Sequence, residues 1–158
     1  MTDTTPDILR HAVATLAYRG GKAIRDVPAS FPDFRASEST RTPLQILTHI
    51  GDLLDWACVL ARGEKSWNDA KPQSWDLEVE RFFDGLQRLD HQLASQPILC
   101  KPEKLFQGPI ADALTHVGQI NLLRRIAGAA VKGENYFSAD VAAGRVGRDQ
   151  TPPRREFE

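Results

Sequence analysis

Asp112 and His116 stand four residues apart in a segment with helical periodicity, and His49 lies inside another such segment. Side chains at i and i+4 are neighbours on one helix face, about 5–6 Å apart, so the pair can share one ion. Two imidazoles and a carboxylate suit a divalent cation, and three protein ligands leave a further position for water or substrate. That arrangement is expected of a catalytic rather than a structural metal. His49 has to be brought to the pair by the fold.

The periodicity decides which way these side chains point. Steps of three or four from His49 reach Ile46, Leu53, Trp56 and Leu60; from His116 they reach Ala113, Ile120, Leu123 and Ala127. Both imidazoles therefore lie on apolar stripes that face a core. An ionised aspartate beside them needs a partner, and a cation would supply it. A second reading stays open on spacing alone. A histidine on an apolar stripe is commonly a satisfied core residue, and Asp112 sits where a helix macrodipole favours a carboxylate without any metal.

Other polar residues are assigned by their place around this trio. Asp52, three residues after His49, and Gln119, three after His116, are candidates to orient a ligand or water from outside it. Asp55 and the Arg124-Arg125 pair read as solvated faces or interhelical ion pairs, His11 as peripheral, and His91 as exposed. Trp56 reads as core filling that also walls the pocket. Asn135, Tyr136 and Phe137 are placed to fold over an open end of the site or, more simply, to pack. Cys58, within an apolar pattern, reads as a small buried hydrophobe; with only two cysteines and no CxxC there is no disulfide framework.

Four long helices must do the positioning. The first is expected from about Pro6 to Asp26, with Leu9, Val13, Leu16, Gly20 and Ile24 near one face. Thr42-Pro43 opens the second, since proline is tolerated in a first turn, and Gly63 closes it. Ser74 caps the third, where Phe82, Leu86, Leu89 and Leu93 recur at helical spacing. The fourth is expected from Gly108-Pro109 to Gly128 or Val131. The Pro- and Ser-rich stretch between helices one and two is a long connection, either a crossover or a cover for one end. The stretches EKSWNDAKPQ and SQPILCKPEKLFQ are further connectors. From about residue 133 the chain reads as an irregular tail with a helical piece around Ser138–Ala143. The expectation is one all-α domain over residues 1–158, a four-helix bundle.

The runs TPLQILTHIGDLLDWA and ADALTHVGQINLLRRIAG resemble the DinB-like superfamily of bacterial four-helix bundles. The resemblance covers about 130 residues as an order of helices, with some ten positions in specific motifs. It implies a metal site in which His49 is the helix-two ligand and His116 the last ligand, followed by Gly118-Gln119 as in the family. Many members have a histidine where this chain has Asp112. The mycothiol-dependent maleylpyruvate isomerases have an acidic residue there, so the implied site is His-Asp-His. It further implies a low-molecular-weight thiol such as mycothiol or bacillithiol as co-substrate, and a homodimer, while the ligand types favour zinc or nickel and leave iron and manganese open. A cation held by two neutral imidazoles and one carboxylate keeps a net charge of +1 and attracts an anionic nucleophile. The expected function is therefore a metal-dependent hydrolase or thiol S-transferase acting on a small molecule. The alternatives are a non-catalytic metal-binding or structural bundle and a small-molecule carrier or sensor.

Composition narrows the classes. Twenty Lys and Arg balance 21 Asp and Glu, which leaves no global electrostatic case for nucleic acid or an anionic membrane. No apolar run is expected to reach the roughly 20 residues that cross a bilayer. The N-terminus lacks the basic-then-apolar pattern of a secretory signal, so a cytoplasmic protein is expected. Phosphate-loop, nucleophile-elbow, HExxH and dinucleotide motifs do not occur.

Overall fold

The computed structural model describes residues 4–157; Met1–Asp3, the start of the N-terminus read above for a secretory signal, and Glu158 lie outside them. Four long helices form: α1 (Thr5–Ile24), α2 (Pro43–Ala61), α3 (Trp75–Ser95) and, after the single turn α4 (Pro102–Leu105), α5 (Ala111–Ile126). Each long helix buries the stripe its spacing demands, and Val13, Leu16, Ile50, Phe82, Leu86, Leu89 and Ile120 are fully enclosed. The all-α expectation holds.

Local chemistry sets the helix starts. Thr42 accepts from the Gln45 amide while the Gln45 side chain accepts from the Thr42 amide, a reciprocal capping box. Ser74 accepts from the Leu77 amide at 3.3 Å. The fourth helix departs from expectation, because helical turns precede Pro109. Pro109 has no N–H to complete the ladder, and the backbone widens there into a π turn, Phe106–Ile110, with Gly108 at φ −85°, ψ −105°.

Interhelical contacts give the directions. Arg10 pairs with Asp90, and a Cβ at Gly20 would meet Phe82 at 2.5 Å, so α1 and α3 pack closely and antiparallel. The helices α2 and α3 run parallel: Thr48 and Asp52 meet Arg81, Leu54 meets Gly85, and Cys58 meets Gln92. The α2–α5 pair is antiparallel, with His49 against His116 and Trp56 against Gly108. The ends of α1 and α5 meet where Arg124 donates to the Ala23 and Arg25 carbonyls. Around the bundle the order is α1, α3, α2, α5.

This order assigns the connections. Residues 25–42 cover one end, where buried Phe31 packs edge-on against Trp75; of the two roles open for that stretch, it covers an end. The lengthwise crossover is instead the strap of residues 62–74. Because α2 and α3 run the same way, it must return along the full helix, roughly 28 Å for 19 residues, which 13 extended residues span easily.

The tail also differs from expectation. Its helical piece is Tyr136–Ser138, earlier than Ser138–Ala143, with Asn135 as cap. Glu156–Phe157 returns to pair antiparallel with Gly133–Glu134. Between them the tail lies along α1 and α3, burying Val146. Glu134 is enclosed and accepts from Tyr18 and, at 2.9 Å, from Lys22, which also reaches Glu156 at 2.8 Å. Burial and the Glu134 hydrogen bond raise the Tyr18 phenol above its usual range, which keeps it a donor.

The expectation about apolar length needs correction. Among the described residues α2 alone is long and apolar enough, by length and composition, to cross a membrane, and most of that stretch is buried against the other helices.

Candidate metal centre

His49 rises from the second turn of α2 and Asp112 and His116 from the first two turns of α5, on the antiparallel face those helices share. One ligating atom from each lies within 4.8 Å of the others. His49 Nε2 is 3.8 Å from Asp112 Oδ2, His116 Nδ1 is 3.2 Å from Asp112 Oδ1, and the two imidazole centroids are 4.7 Å apart. The three residues singled out in the sequence are therefore together, and the cluster can hold a metal ion.

Its chemistry fits a cation. His116 Nδ1 lies 2.8 Å from the Asp112 carbonyl oxygen, which only accepts. That contact places the proton on Nδ1 and keeps a lone pair on Nε2, the backbone-anchored arrangement of ligating histidines. Burial holds the His49 pKa below its usual value, helped by His116 and the nearby Arg41 and opposed by Asp112 and Asp52. His49 is thus neutral near pH 7, as a ligand must be. The Asp112 carboxylate is 45% exposed against 22% for His49 and 11% for His116, so the cluster opens to solvent on the carboxylate side.

Asp52 and Gln119 do not join it in the expected way. Asp52 is turned to Arg81, 2.5 Å away, and accepts from the Ala70 amide at 3.3 Å; its carboxylate serves the strap and α3. Gln119 is exposed. Asp55 does form interhelical ion pairs, with Arg81 and Arg88 at 2.7 Å each. Arg124 corrects its reading as a solvated or ion-paired residue, since it is buried and closes the α1 carbonyls. His11 and His91 are exposed, and Cys58 is buried, which raises its thiol pKa. Tyr136 packs edge-on against Tyr18 and under Arg19, on α1 and away from the cluster. Phe137 is almost fully exposed and packs on nothing.

Two residues that the spacing did not single out shape the site. Arg81 donates to the Thr48 carbonyl beside His49 at 3.1 Å and gathers Asp52, Asp55 and buried Glu78 around one guanidinium. Gly51 makes room for it, because a Cβ there would lie 2.7 Å from Arg81 Nη1. The second is Trp67, on the strap. Its ring meets His49 at 5.7 Å and Trp56 at 5.6 Å, both edge-on, and its Nε1 donates to Asp69 at 2.9 Å. A lone tryptophan in the polar run EKSWNDAKPQ was the available signal, since such a ring needs a surface to rest on.

A shallow hollow of about 370 Å³ starts at Asp112 and is bounded by Trp56, Gly108 and Thr115. A larger one, about 850 Å³, lies elsewhere, between the α1 C-terminus, the α3 N-terminus and the tail. Size favours the second hollow, whereas the first holds Asp112, one of the three converging donors. Comparison with protein-family models, curated proteins and solved structures finds no match for this chain.

Proposed function

We propose that this chain is a DinB-like metal-dependent enzyme, with His49, Asp112 and His116 holding zinc or nickel, and that it activates water or a low-molecular-weight thiol toward a small-molecule electrophile. The observation that carries the reading is the convergence of the three donors from two helices within 4.8 Å. A bound divalent ion of this kind lowers the pKa of a coordinated water or thiol toward neutrality.

The protein's own residues supply the rest. Asp112 offers the single negative charge and lies on the open side, so the site favours a cation while still admitting an anionic nucleophile. The carbonyl of Asp112 keeps His116 in one tautomer. Burial keeps His49 unprotonated and therefore ligand-competent at neutral pH. Arg81 and Asp52 lock the α2 turn that carries His49 to α3 and the strap, which limits the site's reorganisation on loading.

The test is elemental analysis of tag-free protein after reconstitution with zinc or nickel. One equivalent in the wild type, lost in His49→Ala and His116→Ala, is the expected result. Absence of stoichiometric metal in the wild type would overturn the reading. Turnover of a thiol with an electrophile, or hydrolysis, must then disappear in the metal-free form.

A further inference from the structure

Trp67 combines two properties that seldom occur together: its orientation is held and much of its surface is open. Its ring rests edge-on against His49 and Trp56, and its indole N–H is tied to Asp69. The strap that carries it is pinned three residues later, where the Ala70 amide donates to Asp52. Even so, 44% of the residue stays accessible. Burying a ring of this size is among the larger gains open to a fold, and a Trp left half open has apolar surface to offer a ligand.

Its place tells which ligand. Trp67 touches His49, one end of the donor trio, while Trp56 continues the aromatic surface to the hollow that begins at Asp112, the other end. The π turn borders that hollow at Gly108, where a Cβ would sit 3.8 Å from the Trp56 ring, so the ring lies close against the turn. The donors and the two indoles thus form one run of contacts, in which Trp67 touches His49 and Trp56, and Trp56 and Asp112 border the hollow.

We infer that Trp67 and Trp56 form an apolar subsite beside the donor trio, which selects small molecules with a flat aromatic body and an oxygen-bearing head group that a metal ion can take. This rests on the proposed metal site and adds to it the class of substrate. Trp67 is the specificity-determining residue, because it is the more exposed ring and the one that contacts a donor.

The test compares two probes with the same head group, acetohydroxamate and benzohydroxamate, by calorimetric titration of zinc-loaded protein. Benzohydroxamate should bind about tenfold more tightly, the factor one ring-on-ring contact supplies. In Trp67→Ala that ratio should fall below about twofold, while Trp67→Phe should retain most of it. Taking the ratio within each variant removes any general loss of metal or stability. Equal affinities in the wild type, or a ratio that Trp67→Ala leaves unchanged, would overturn the subsite while leaving the metal site standing. Failure of both probes to bind, in protein that also takes up no zinc, would remove the metal site and the subsite with it.

Discussion

The two opposite faces of the bundle have been finished in contrary ways. On the α1–α3 face the tail lies over the helices, and two buried carboxylates there are paired within the chain: Glu134 with Tyr18 and Lys22, Asp90 with Arg10. On the α2–α5 face the charged and polar groups that converge are His49, Asp112 and His116, with the carboxylate half exposed and a tryptophan left open beside it. A buried pair completed within the chain already has its counter-charge, even where, as beside Lys22, a larger hollow opens next to it. A donor set completed by no cation of the chain is available to one from outside. The difference lies in whether the protein supplies the counter-charge, and it is this difference that favours the second face as the place of the proposed chemistry.

The contrast can be broken most strongly from the sealed side. Lys22→Ala leaves Glu134 enclosed with only the Tyr18 hydroxyl, and should cost about 3 kcal/mol of stability in urea unfolding, with zinc stoichiometry unchanged in protein that remains folded. His116→Ala should do the converse: zinc affinity falls at least ~100-fold, about 3 kcal/mol, whereas the metal-free protein loses under ~2 kcal/mol, read by competition with a chelator and by urea titration. If His116→Ala were as destabilising as Lys22→Ala and left zinc uptake intact, both faces would be structural.

Smaller perturbations sharpen the comparison. Thr42→Ala removes one half of the capping box at the start of α2 and should cost about 1 kcal/mol by thermal or urea unfolding, with zinc still bound. The smallest effect is in pH. The folded state holds the His49 pKa below its usual value by burial, with His116 and Arg41 adding to it. The unfolded chain therefore takes up a proton first, and this contribution to stability falls as pH drops through about 6.5 and levels off below the folded value. Wild-type protein should lose stability over that window relative to His49→Asn in the metal-free state, and zinc affinity should decline across it as well. A parallel pH profile for the two proteins would remove His49 as the cause.

The helices were legible because their stripes and caps are local. Thr42-Pro43, Ser74 and the Phe82–Leu93 spacing each act within a turn or two. Asp112 and His116 were legible for the same reason, being neighbours on one helix, and an imidazole among Ile46, Leu53 and Trp56 signalled that His49 turns inward. What was hidden depends on partners far along the chain. Nothing near Arg81 says that it gathers carboxylates from α2, and nothing near Asp52 says that its oxygens are taken by residues 70 and 81 rather than by the cluster. Arg124 looked like a surface basic residue because the carbonyls it closes belong to α1. The return of Glu156 to Glu134 has no periodicity to betray it. The direction of α3 relative to α2 was hidden too, and with it the role of the strap.

The ring order of the helices has a consequence for how the protein comes to exist on the ribosome. Arg124 meets Ala23 across 101 residues of chain, and the long helices packed along α2 are α3 and α5. While α5 is still within the exit tunnel, the apolar flank of α2 that belongs against it stays bare, and His49 waits without its companions. Closure comes with the last helix in a single late event, and contacts this distant in sequence make such an event slow. A nascent chain stalled before residue 111 should therefore resist protease poorly and capture no zinc, whereas release of the full chain should bring both properties at once.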